Sequence, residues 1–402
     1  MNPPLPFTET DRALLVALRR DLHANPELAW KETVTQARLE RALRDIGVTD
    51  LRRVATTGLV ARLPGRDRKL PAVAVRGDID ALPIIEATGL DFSSRNPGVM
   101  HACGHDVHAS WVVGAALLLV RAPADGDVVI VLQPAEELGE GAKAILEAGA
   151  LNGVRAIFGG HVDRRFSVGE VVAQAGPLAA SADTFTITLT GKGAHGARPH
   201  HSADAIVGAA ELIMALQTIV SRRLDPALPG VITVGSVHGG RAPNVIPESV
   251  ELTGTIRATT AASRDLLITE LERITHAVAS THRLTAVVEM VVGTPPLENS
   301  AGAATWAAAA VREALGEHAL VPLGTTNMAA EDFAYYLGQM DGCFLRIGAR
   351  EPGGEQRDVH TPGFFPSEET LFVGAAVLAQ CARVASRACG VASQLRGAAG
   401  LS

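Results

Sequence analysis

Near residue 180 the hydrophobic rhythm of this chain changes, and near residue 294 it changes back. Up to about residue 175, stretches with apolar residues at helical spacing alternate with short apolar runs. Thr10–His23 and Glu32–Ile46 read as helices, Trp111–Val120 as a buried helix, and Ala72–Val75, Val128–Leu132 and Ala156–Phe158 as strands. Such alternation predicts a mostly parallel sheet covered by helices. Thr184–Thr190, Val231–Val237 and Val250–Arg257 instead alternate polar and apolar residues with period two, as one-faced antiparallel strands do. With the helical stretches Ala203–Arg222 and Leu266–His282 and the strand Thr285–Val292, they make a four-stranded, two-helix α+β unit. After Thr294-Pro295-Pro296 the first style resumes, with a helix at Thr305–Leu315, a strand at Cys343–Ile347 and a helix at Glu368–Ala388. The expectation is an α/β catalytic domain, residues 1–180 and 294–402, interrupted by a smaller α+β domain at 181–293.

Length supports two domains, since 402 residues exceed one ordinary hydrophobic core. Lys and Arg number 36 against 43 Asp and Glu, and they are scattered. No basic stripe of the kind that phosphate backbones require is present, so nucleic acid is not an expected partner. The longest apolar run, Trp111–Val120, is shorter than the roughly 20 residues that span a bilayer, so no membrane partner is expected. Met1–Arg12 lacks the basic-then-apolar pattern of a secretory leader. Cys103, Cys343, Cys381 and Cys389 show no disulfide-framework spacing, which points to a reducing cytoplasm.

The densest chemical cluster is His101-Ala-Cys103-Gly-His105-Asp106-Val-His108. Cysteine and histidine two apart, with acids nearby, suit a transition metal. A helix start with Asp106 near its positive end is the bland alternative, and a three-histidine site of His101, His105 and His108 is another. The second cluster, Gln133-Pro-Ala-Glu136-Glu137, follows a strand. Adjacent carboxylates point in different directions, so one can ligate while the other handles a proton. A Glu-Glu pair is more often a solvated turn, but ligands of open α/β sheets gather beyond the carboxyl ends of strands, where Asp78, Glu136, Glu137 and His161 all fall. His161 and His360 are each weak alone.

Matching stretches then run in order along nearly the whole chain. They are His23-Ala-Asn-Pro26-Glu27-Leu28, Arg76-Gly-Asp78-Ile-Asp80-Ala-Leu-Pro83, Met100–His108, Gln133–Glu137 and Gly191-Lys-Gly-Ala-His195. Pro199-His200, Ala242-Pro-Asn244-Val-Ile-Pro247, Gly254-Thr-Ile-Arg257 and Glu331-Asp332-Phe333 complete the set. On these residues the chain resembles the dinuclear metal amidohydrolases and peptidases that include carboxypeptidase G and the aminoacylases. Within them it is similar to the branch of hippurate hydrolases and indole-acetyl-amino-acid hydrolases.

That resemblance implies two divalent metal ions (zinc, manganese or cobalt) bridged by Cys103, where the wider family carries aspartate. His105 and His161 would complete one site, and Glu137 and His360 the other. Glu136 would be the general base and acid. His195, Asn244 and Arg257 would bind the substrate carboxylate and the developing oxyanion. The carboxyl-terminal motif departs from the branch: Val359-His360-Thr361-Pro362 stands where His-His-Pro or His-Ser-Pro is common. The implied enzyme is a cytoplasmic homodimer or tetramer that pairs through the inserted domain and hydrolyses an N-acyl amino acid or related small amide. The competing readings are a dipeptide exopeptidase of the same family, a hydrolase with Cys103 as nucleophile, and a non-catalytic binding protein.

Overall fold

The computed structural model describes residues 5–399, and it divides into two compact units. The larger takes the chain up to Gly176, Asn299–Gly324 and the chain from Tyr335 onward; the smaller takes Pro177–Glu298 and Thr325–Ala334.

The larger unit is built on a seven-stranded mixed sheet. Its order is Leu51–Val54, Gly58–Leu63, Val128–Gln133, Ala72–Asp78, Val154–Ser167, Asp341–Arg350 and Val171–Val172. The four strands from Val128–Gln133 to Asp341–Arg350 are parallel; the first two form an antiparallel hairpin along one edge, and Val171–Val172 runs antiparallel at the other. Every residue of Ala72–Asp78 and of Val128–Gln133 is buried, as expected where helices cover both faces. The fold class is therefore α/β with a parallel centre. The edge hairpin escaped the sequence reading because its outer strand, Leu-Arg-Arg-Val, carries no apolar run. The strand at Ala156–Phe158 does not stop at Gly159-Gly160 but continues to Ser167. Its parallel pairing with Asp341–Arg350 carries it through the glycines, with His161 opposite Arg346.

The helix His105–Arg121 is buried almost throughout and runs through the core, which explains its apolar character on all sides. The helix Thr370–Ala399 packs across it so closely that a Cβ on Gly374 would lie 2.3 Å from the Trp111 ring. Trp111 Nε1 donates to the Thr370 carbonyl at 2.7 Å, so the indole is both packed and satisfied.

The smaller unit is an antiparallel sheet in the order Gly230–Gly239, Ser249–Ala258, Asp183–Thr190, Thr285–Val291. Phe185, Ile187 and Leu189 point inward to a core shared with Leu212, Leu216 and Ile219 of the helix Ala205–Arg222 and Leu267 and Leu271 of the helix Ala261–Thr281. The intervening threonines face away. This unit also gathers residues 325–334, which the sequence reading left with the catalytic domain; Ala180 N donates to the Ala329 carbonyl, a tie with no periodic trace in sequence.

Candidate metal centre

Asp78 and Gln133 pair in register at the carboxyl end of the parallel layer, and Arg346 pairs with His161. The candidate residues of the larger unit collect just beyond this level. Cys103 and His105 are brought to it by Gly104, which caps the helix at φ +97°. That left-handed turn suits glycine, and a Cβ there would lie 2.5 Å from Val162. Glu136 and Glu137 follow Ala135, which has φ +50°. His360, also left-handed at φ +62°, is anchored by its own N–H, which donates to the Ala102 carbonyl at 2.8 Å.

Cys103 is the common member of two donor sets. Its Sγ lies 3.2 Å from His161 Nε2 and 3.3 Å from His360 Nε2. Ligand atoms of Cys103, His105 and His161 all fall within 4.8 Å of one another, and so do those of Cys103, Glu137 and His360. His360 Nε2 stands 3.4 Å from Glu137 Oε1, and His105 Nε2 stands 3.8 Å from Glu136 Oε2. His161 Nδ1 donates to the Val162 carbonyl at 2.7 Å, and His105 Nδ1 donates to the Asp80 carbonyl at 2.9 Å and to Asp80 Oδ1 at 3.2 Å. In both rings the outward bond fixes the tautomer and leaves Nε2 facing the centre.

His105 Nε2 and Glu137 Oε1 are buried without a hydrogen-bond partner. Buried polar groups are rarely left so, and here both point into a set of sulfur, nitrogen and carboxylate donors that divalent cations accept. The protonation pattern agrees. Burial, with the nearby Glu137 charge, pushes the Cys103 thiol well above its ordinary range. Burial and the charges of His108 and Arg346 hold His161 well below its ordinary value, neutral with a free lone pair. Burial opposes charging of His105, but Asp78 and Cys103 raise it well above the usual imidazole value. A cation would replace these protons.

His108 takes no part. Its Nδ1 donates to Asp78 Oδ1 at 2.7 Å and its Nε2 accepts from Val162 N at 3.0 Å, which leaves no free lone pair for a three-histidine site. The sequence reading missed the role of Asp80. Besides holding His105, its Oδ2 accepts from Glu137 N at 3.0 Å, so one carboxylate orients a member of each donor set. Its only trace in sequence is the Asp78-Ile-Asp80 pair at a strand end.

In the smaller unit, His195 is exposed and lies opposite Val245 in a short ribbon, Ala194–His195 against Val245–Ile246. Gly196 N donates to the Asn244 carbonyl at 2.7 Å, so His195 and Asn244 are neighbours. Arg257 belongs to another element, the strand Ser249–Ala258. It lies eight residues along the strand from Ser249, about 26 Å at 3.3 Å per residue.

An α/β sheet with sulfur, imidazole and carboxylate donors crowded at its carboxyl end is the framework of a metal-dependent hydrolase. The family model of peptidase family M20/M25/M40 matches residues 74–384, and the chain belongs to that family. It is 38% identical to N-acetyl-L-cysteine deacetylase of Bacillus subtilis over 92% of this chain and 87% of the relative. It is 37% identical to an IAA-amino acid hydrolase of Arabidopsis thaliana over 92% of this chain and 84% of that one. Among solved structures it is similar to a dinuclear metal binding peptidase of family M20 from Bacillus subtilis, with TM-score 0.84 and 33% identity over 94% of this chain and 99% of that one. The protein is thus an enzyme, an amidohydrolase of this family.

Proposed function

We propose that the enzyme hydrolyses the amide bond of N-acyl amino acids with the help of two divalent cations, which donor sets sharing Cys103 would hold. The observation that carries this reading is the placement of one thiol between two donor sets, with His105 Nε2 and Glu137 Oε1 buried beside it without a hydrogen bond. Cys103, His105 and His161 would hold one ion and Cys103, Glu137 and His360 the other; zinc, manganese and cobalt all suit these donors. When bound, such ions polarise a carbonyl and bring the pKa of water towards about 7. Glu136 takes the proton of the attacking water and returns it to the leaving nitrogen. His195 or Asn244 meets the developing oxyanion, and the forked donors of Arg257 orient the substrate carboxylate. The names of the two relatives, a deacetylase of an N-acetyl amino acid and a hydrolase of an acylated amino acid, support this substrate class.

Cys103 is a poor candidate for a free nucleophile, because it is 7% exposed and its burial favours the protonated thiol. The reading extends to a cytoplasmic homodimer in which His195 serves the partner's site. Two observations support that extension. His195 is exposed beside Asn244 in a short ribbon of the smaller unit, a unit that carries none of the candidate metal donors. The same unit exposes Val207 and Met214, seven residues apart on one face of its first helix, as a surface that pairs with a second copy would.

The test is hydrolysis of a panel of acetyl, benzoyl, indole-acetyl and aminobenzoyl amino acids and of dipeptides, run with metal analysis. Turnover of N-acyl amino acids that is lost with chelator and restored by metal is expected. Preference for dipeptides, or full activity after exhaustive chelation, would overturn the reading.

A further inference from the structure

Glu32 has no part in the chemistry above, yet it is fully buried. It stands immediately before the helix Thr33–Asp45, and its carboxylate meets one amide and one hydroxyl. Burial pushes its carboxyl pKa up, against the pull of those bonds. No Lys or Arg among the described residues pairs with it. A buried carboxylate without a cation is costly, and a purely structural position would be better served by an apolar side chain.

What the carboxylate holds is the backbone next to Glu136. Its Oε1 accepts from Ala135 N at 2.9 Å. Ala135 is itself buried and left-handed, at φ +50°, a conformation that a Cβ disfavours. The chain beyond it bends tightly: Gly139 N donates to the Glu136 carbonyl at 2.7 Å, and Gly141 N donates to the Ala135 carbonyl at 3.2 Å. On its other side, Glu32 Oε2 accepts from Thr57 Oγ1 at 2.6 Å. Thr57 closes a turn in which Ala55 and Thr56 are also left-handed. That turn abuts the same bend, since a Cβ on Gly58 would lie 3.0 Å from Pro134 Cδ.

We infer that Glu32 is a positioning residue: its carboxylate ties the Thr57 hydroxyl to the Ala135 amide, holds Ala135 in its left-handed conformation, and so aims Glu136 and Glu137. Relaxation of Ala135 to an ordinary conformation would redirect both side chains at once. The inference rests on the roles proposed for those two residues.

The experiment uses the full-length protein as wild type, Glu32→Ala, Glu32→Asp and Glu32→Gln. Each is titrated with cobalt(II), followed by its visible spectrum, and assayed for kcat and KM on the best N-acyl amino acid. Glutamine keeps both bonds, its amide oxygen accepting from Ala135 N and its amide nitrogen donating to Thr57; alanine keeps neither, and aspartate keeps the charge but not the reach. Glu32→Gln should match wild type within about threefold. Glu32→Ala should lose about 10- to 100-fold in kcat with KM little changed, and should bind cobalt(II) at least about tenfold more weakly at one of two sites, the scale of a lost supporting contact. Should the alanine variant not fold, the aspartate and glutamine pair decides, with aspartate impaired and glutamine not. Wild-type behaviour of Glu32→Ala or Glu32→Asp, or equal damage in Glu32→Gln, would overturn the inference. Failure of wild type to bind two cobalt ions would overturn the metal reading beneath it, and that outcome is read from the unaltered protein alone.

Discussion

Glu136 and Glu137 both approach His105 Nε2, at 3.8 and 3.9 Å, but only Glu137 is also grouped with Cys103 and His360. Glu136→Gln should therefore abolish turnover, by about 10² to 10⁴-fold for loss of a general base, while both metals stay bound. Metal content and rate, measured on one preparation, check this; an emptied site or retained activity would assign Glu136 wrongly. Cys103 carries a second prediction. In the metal-free protein its thiol is pushed above its ordinary range, first by burial and then by the Glu137 charge, so it keeps its proton through neutral pH. A cation must displace that proton, so binding tightens as pH rises, by up to about tenfold per pH unit for each proton released. Cobalt(II) titrations across the neutral range should show that slope, and a flat profile would remove Cys103 from the ligands.

At the level of elements, the helix Glu9–Ala24 is fastened at its amino end. Thr8 and Asp11 form a reciprocal cap, and Asp11 also takes a two-pronged bond from Arg121 at the end of the buried helix His105–Arg121. The Arg121 hydrogen bonds, partly offset by burial, hold the Asp11 carboxyl at about 2 instead of 3.8. Since the folded value is the lower one, the stabilisation is present above the unfolded value and is lost as pH falls towards about 2. Half-exposed Arg121 is screened by solvent, so Asp11→Asn should cost about 1–2 kcal/mol near neutral pH. Denaturant unfolding should show the gap from wild type narrowing as pH drops below about 4. A gap that does not change with pH would mean that the cap geometry, and not the ion pair, sets the cost.

For the whole molecule, the testable claim is that a complete site needs two chains. Glu136→Ala and His195→Ala should each be inactive alone. After subunit exchange, half of the dimers are mixed, and each has one site with Glu136 and the partner's histidine intact. About a quarter of wild-type activity should return. No recovery after confirmed exchange would place His195 in its own chain's site. Met214→Asp, in the middle of the exposed apolar helix face, should shift the protein towards monomer in light scattering; an unchanged mass would move the interface elsewhere.

The alternation of apolar stretches told which segments become helices and which strands, because burial of one face repeats at the period of the element. Cys103, His105, Glu136 and Glu137 were legible for a related reason: local motifs hold them, and chain connectivity keeps such neighbours together in any fold. The hairpin at the sheet edge was not legible, because Leu51–Val54 is half exposed and carries two arginines where a central strand would be apolar. Nor was the passage of one strand through Gly159-Gly160, since pairing with Asp341–Arg350 comes from far along the chain. The same holds for Asp80 and Glu32, ordinary acids in sequence. Their work is to accept N–H groups brought to them by other segments, at separations of 57 and 103 residues. His360 reaches Cys103 only because the Ala102 carbonyl anchors a stretch without periodicity. Sequence by itself determined most of the elements and picked out the candidate donors carried by local motifs, because those depend on near neighbours. Tertiary structure alone decided which lone pairs face the centre and which carboxylates stand behind them, because hydrogen bonds between distant segments leave no period to read.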